Sequence, residues 1–224
     1  IQYMKELGMS LNEIKVILDK KDIRLIESML IQKKQQVKEQ ISQLELRNGA
    51  ISRAIKSLER YRQSPKPGLI IIEYISQRRI YAMPTDVNFY DYDINMYEHI
   101  LSDLKNNIIA NGLPQIYYCN AGTTLKKDKF LNKNFFSNEI FIFVDENFPN
   151  HPNTRIIERS MYACIYLNKF EDEIPYAKKL LEYCQNNNIQ ITGDYLCEVM
   201  AEFNVFDSDE RTMFLRLQVP ISFR

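Results

Sequence analysis

DIRLIESMLIQKKQQVKEQISQLELRNGAISRAIKSLERYRQ, residues 22–63, decides how the rest of the chain is read. No proline interrupts it, and Leu30, Val37, Leu44, Ile51 and Leu58 recur at an interval of seven, the spacing of a heptad seam. Ile23, Ile41 and Ile55, with Ala54 and Tyr61 on a neighbouring stripe, fill the second core position only in places, because Lys34, Asn48 and Arg62 interrupt it. So narrow a seam fits a two-stranded coil. A helix of about 40 residues spans about 60 Å, well beyond a compact core, so its apolar stripe calls for a partner of similar length. A parallel homodimer is the expected solution, and packing of the stripe on the chain's own C-terminal half is the alternative. Gly49 weakens such a helix by about 1 kcal/mol relative to alanine and marks a candidate close approach.

Before this helix, IQYMKELG ends on Gly8, a helix-stop signal, and Ser10 opens a second helical pattern with Glu13 three residues on, a capping box. The chain opens on Ile1 inside a helical pattern, which leads us to expect a further segment upstream. After the helix, SPKPG at 64–68 punctuates the chain and marks a domain boundary.

From Leu69 onward the period shortens to that of strands, and one run of elements occurs twice. A strand over LIIIEYISQRRIYAMP, a helix over 93–111 and strands around IYYCN and EIFIFVDE form the first copy. NTRIIERSMYACIYLN, a helix over 172–188, GDYLCEVM and RTMFLRLQVPI form the second. Ile80-Tyr81 is matched to Ile165-Tyr166 and Tyr97 to Tyr176, with a loop six residues longer around NFYDYD in the first copy. The expected fold class is α+β: a short helix pair, a long dimeric coiled-coil helix, antiparallel or parallel, and a doubled βαββ domain. Its strands would pair into one curved antiparallel sheet, with both helices on one face and a cleft between the halves on the other.

Composition narrows the function. Lys+Arg and Asp+Glu balance at 29 each, so no global basic field attracts nucleic acid and the chain alone is expected to bind DNA poorly. Cys119, Cys164, Cys184 and Cys197 lack CxxC spacing, and His99 and His151 are the only histidines, which argues against zinc and for free, buried thiols. His99 and His151 are read as surface residues. No apolar run approaches the roughly 20 residues of a membrane span and no signal peptide is visible, so a cytoplasmic location is expected. The basic, aromatic run 125–136, LKKDKFLNKNFF, reads as an exposed hairpin loop.

Glu198 stands out. In Tyr195-Leu196-Cys197-Glu198-Val199-Met200, strand alternation puts Leu196, Glu198 and Met200 on one face and Tyr195, Cys197 and Val199 on the other. If the second set covers the helices, Glu198 faces the cleft, with Cys119 as its mate in the first repeat. A lone acid among aromatic rings suits a lipophilic cation through charge, cation–π and stacking contacts. The alternatives are a solvated sheet edge or pairing with Arg211 or Arg216. Replacement by glutamine is expected to weaken ligand binding and leave the fold intact. A carboxylate beside a tyrosine can also act as an acid–base pair, but no nucleophile triad, phosphate loop or carboxylate pair accompanies it.

The order of parts resembles the MerR family, in particular multidrug-sensing members with a GyrI-like effector-binding domain. IQYMKELGMSLNEIKVILDKKD is similar to the end of a MerR winged helix-turn-helix domain, just before the dimerisation coil. The resemblance divides the chain into 1–21, a remnant of the DNA-binding domain whose helix-turn-helix is missing here; 22–63, the dimerisation helix; and 69–224, the effector-binding domain. It implies a non-enzymatic, cofactor-free regulator acting as a homodimer, without a membrane, binding a small-molecule effector. Through the intact parent protein it would reach promoter DNA and RNA polymerase. It also implies that Glu198 recognises cationic drugs, with Tyr117, Phe141, Phe143, Tyr166 and Phe214 as aromatic pocket walls. A GyrI-like small-molecule hydrolase and a partner-inhibiting binding protein are the competing readings.

Overall fold

The computed structural model describes residues 1–91, 94–202 and 213–223, so Asp93 and Arg211 lie outside the described residues. Two compact units, Ile1–Ser52 and Arg53–Arg224, divide the chain.

In the first unit, α1 (Gln2–Glu6) and α2 (Leu11–Lys20) meet at Gly8, whose φ of +77° is open to glycine at little cost. The capping box forms: Ser10 Oγ accepts the Glu13 N–H, and the Glu13 carboxylate accepts the Ser10 N–H at 2.7 Å. Met9, Ile14 and Ile17 are buried, and Met4, Ile26 and Met29 pack against them, which seats the helix pair on the start of α3 (Ile23–Gln63). Lys33 closes the contact through Glu13 at 3.0 Å. Along α3 the heptad side chains stay open to solvent on the single chain; Leu44 and Ile51 are each 60% exposed.

The second unit is a curled antiparallel sheet with two helices on one face and the last turns of α3 on the other. Its strands are β1 (Ile70–Ile75), β2 (Arg78–Pro84), β3 (Gly122–Leu125), β4 (Glu139–Val144), β5 (Thr154–Ile157), β6 (Ser160–Leu167), β7 (Ile189–Ile191), β8 (Tyr195–Glu202) and β9 (Met213–Phe223). They run in the order β1-β6-β9-β8-β3-β4-β2-β5, with β7 against β9. The order is symmetric about the β8–β3 pair, as a doubled unit requires. Helices α4 (Ile94–Ala110) and α6 (Glu173–Asn186) follow the first strands of the two copies, and no described helix is long and apolar enough to cross a membrane.

Several expectations are corrected. The strand heading each repeat is two strands, broken at 76–77 and 158–159. The two bent strands pair with each other throughout, Ile70↔Ile165 to Ile75↔Ser160 and Arg78↔Ile157 to Tyr81↔Thr154, while joining different neighbours beyond the bend. That exchange curls the sheet. Ser76-Gln77 and Glu158-Arg159 contain no glycine or proline, so nothing in the sequence announced the bend.

Bending also shifts the repeat match. Ile80 and Tyr166 share the face away from α4 and α6, whereas the Tyr81 hydroxyl donates to Asn107 of α4, so Ile80-Tyr81 and Ile165-Tyr166 are out of phase. IYYCN is no strand: Gln115–Tyr117 is a 3₁₀ turn after Pro114, and β3 starts at Gly122. Run 125–136 is no hairpin loop either, because Phe130 is buried and stacks on Tyr195 at 4.8 Å, folding Lys127–Leu131 into a short helix, α5.

Strand β8 alternates as expected. The Tyr195 hydroxyl donates to the buried Glu173 of α6 at 2.9 Å, while Leu196 and Met200 join Phe141, Tyr166 and Phe214 on the opposite face. That opposite face carries the last turns of α3. Ser57, buried although polar, donates to the Met200 carbonyl, and Tyr61 meets Phe214 edge-on at 4.9 Å. The Met200 carbonyl is free to accept because the β8–β9 ladder skips a residue between Val199 and Ala201, a bulge.

Candidate functional site

Between these last turns of α3 and the sheet lies a cleft of about 880 Å³. Arg53, Lys56, Glu59 and Arg60 line it from the helix, and Arg78, Cys119, Phe143, Asp145, Ile156 and Glu198 line it from the sheet and its loops. Its size suits a drug-sized molecule.

Glu198 sits at its inner wall, 1% exposed. It is not a lone acid. Arg216 is its cross-strand partner in the β8–β9 register and reaches Oε2 through Nη2 at 2.7 Å and Nε at 3.2 Å. Gln218 Nε2 at 2.9 Å and Arg78 Nη1 at 3.3 Å donate to the same oxygen, and Arg60 Nη1 reaches Oε1 at 3.0 Å. Burial by itself would raise the Glu198 pKa, but the charges of Arg216, Arg60 and Arg78 outweigh it and hold the carboxyl at about 2. Arg216 also binds Glu73 at 3.1 Å, and Glu73 accepts the Tyr166 hydroxyl at 2.9 Å. Burial pushes the Tyr166 hydroxyl well above its ordinary value.

The expected site residues scatter about this cleft. Glu198 and Phe143 line it. Phe141 lies behind Phe143, with ring centres 5.2 Å apart, over Gly122, which leaves room for it. Tyr166 and Phe214 stack on each other at 5.7 Å, and Tyr61 of α3 meets Phe214 edge-on. Tyr117 is buried below Arg53, whose guanidinium is 4.2 Å from the ring centre, and its hydroxyl donates to Asp145. Burial first, then Asp145, pushes that hydroxyl up to about 12. Cys119 does line the cleft, but from the loop before β3 rather than from a strand, and it is the one exposed thiol of the four.

Residues that the sequence reading passed over complete the site. Arg216 is an expected partner of Glu198, and Gln218, at the alternate position of the apolar run LRLQV, shows the same oddity as Glu198. Arg60, Arg78, Glu73 and Arg53 all lie 120 or more residues from Glu198 along the chain, and a sequence offers no local sign of such meetings.

No family model and no curated protein matches the chain by sequence. By fold the chain, a long helix leading into a curled antiparallel sheet, is similar to solved structures of EcmrR. Two such structures share this fold. One is the EcmrR chain of an EcmrR–DNA complex in EcmrR-RPo, with 15% identity over 100% of this chain and 81% of that one at a TM-score of 0.53. The other is the EcmrR C-terminal domain, with 15% identity over 70% of this chain and 98% of that one at 0.52.

Proposed function

We propose that this chain is the dimerising and sensing part of a ligand-responsive transcription regulator, its cleft taking a small amphipathic effector. The observation that carries this is the cleft itself, walled on one side by the sheet and on the other by the end of the long helix. An occupant must touch both. Ser57, Arg60 and Tyr61 fasten that helix to the sheet beside the cleft, so a ligand that favours one seating of the helix over another shifts the equilibrium between them. In a homodimer joined through the exposed seam, a change of seating alters the spacing of whatever precedes the coil. EcmrR, captured on DNA, makes promoter DNA and RNA polymerase the expected partners of the intact regulator.

A lipophilic cation, the effector that a lone acid would attract, has to displace Arg60 and Arg78 from Glu198 before it can pair there. Hydrolysis is less well supported, because Glu198 is held at about 2 and Tyr166 far above neutrality, and a general acid–base pair works best near the working pH.

A screen of aromatic dyes of both charges by calorimetry, with distances between spin labels on α3 measured across the dimer, tests this reading. Binding that changes the interlabel distance is expected. Dyes that bind without moving the labels remove the sensing role, and a cleft that accepts no dye removes the effector.

A further inference from the structure

We infer that the effector class of this cleft is an amphipathic anion, an aromatic body bearing a carboxylate, sulfonate or phosphate; the inference rests on the effector-cleft reading above. Three guanidiniums, Arg60, Arg78 and Arg216, face two carboxylates, Glu198 and Glu73, so the cluster at the inner wall carries one surplus positive charge. Both Glu198 oxygens are already engaged by donors. The acid therefore offers an incoming cation little, and the surplus repels it.

The arginines have capacity left. Arg78 uses only Nη1 on Glu198, and its Nε and Nη2, both buried, have no acceptor among the described residues. Arg53 is placed the same way: Nη1 pairs with Asp145, while buried Nε and Nη2 have no acceptor. A buried N–H of a charged group without an acceptor is costly, so both guanidiniums favour an occupant that supplies acceptors.

Both guanidiniums are held by aromatic rings rather than left to swing. Arg78 lies against Phe143 and Tyr162 at 5.2 and 5.3 Å, and Arg53 lies over Tyr117 at 4.2 Å. A fixed planar fork with two free N–H directions is the geometry that takes a carboxylate or sulfonate bidentately. Acidic residues do share the lining: Glu59, Asp145 and Glu146 stand with Glu198 against Arg53, Lys56, Arg60, Arg78 and Arg79. The balance stays positive. Phe143, Val144 and Ile156 supply the apolar wall for the ligand's body.

The test is a pair of probes with the same ring and opposite tetrahedral heads, 2-naphthalenesulfonate and 2-naphthyltrimethylammonium, titrated calorimetrically into the unmodified chain. The sulfonate should bind at least about tenfold more tightly, as charge-assisted fork contacts require. Arg78→Gln should weaken the sulfonate about tenfold and leave the ammonium unchanged or tighter. Should that variant fail to fold, the comparison of the two probes on the unmodified chain still decides. Equal affinities, or a tighter ammonium, overturn the anion assignment and leave the effector cleft standing; binding of neither probe overturns both.

Discussion

Replacing Glu198 by glutamine removes one negative charge from a nest of three guanidiniums without changing the shape of the side chain. The carboxyl is fully buried and its pKa falls from 4.5 to about 2 on folding. At about 1.4 kcal/mol per unit, that difference contributes about 3 kcal/mol to stability at neutral pH. The same figure is reached from the cost of leaving a buried ion pair half-made, about 3–5 kcal/mol. The variant is therefore expected to fold less stably by about 3 kcal/mol, which revises the expectation that the fold would be untouched.

The sign of the pH dependence follows. Glu198 has a depressed folded pKa, so its contribution is complete above about 4.5 and is lost as pH falls toward about 2. Urea denaturation of both proteins should show the stability gap shrinking by about 2 kcal/mol between about pH 6 and about pH 3. Glu13, whose pKa is also low, is present in both and cancels. A gap that does not change with pH, or a variant as stable as the original, refutes the reasoning.

Gly122→Ala should be strongly destabilising, by more than about 2 kcal/mol in thermal melts, because its methyl would lie 2.3 Å from the Cys197 carbonyl oxygen and 2.7 Å from the Phe141 ring. Leu44→Glu with Ile51→Glu should yield monomers by light scattering while circular dichroism keeps the signal of the C-terminal sheet, since both side chains lie open on the single chain. Glu173→Gln should be tolerated at neutral pH within about 1 kcal/mol in urea titrations, because burial raises the Glu173 pKa and folding already disfavours its charge.

Much of the fold could be read from sequence because it rests on local chemistry. Ser10 with Glu13, the leucines of α3 and the alternation Tyr195-Leu196-Cys197 are each complete within a few residues or a fixed period. The bend at 76–77 was hidden because two polar residues, not glycine or proline, sit there, and IYYCN has strand-like composition but spends Tyr117 on Asp145. The site was half legible. The face of Glu198 followed from strand period, whereas its meaning did not, since Arg60 and Arg78 arrive from 138 and 120 residues away. A carboxylate that looks solitary along one strand is judged by what the fold brings to it.

The bulge at Met200 has a mechanical consequence. The Met200 carbonyl lies at the break in the β8–β9 ladder and accepts from Ser57 there, much as a detent holds a sliding rod at a notch. Translating α3 by one turn, about 5.4 Å, loses that contact outright instead of stretching it. The helix end should therefore click between seats rather than drift, and its response to a bound molecule should be steep and digital.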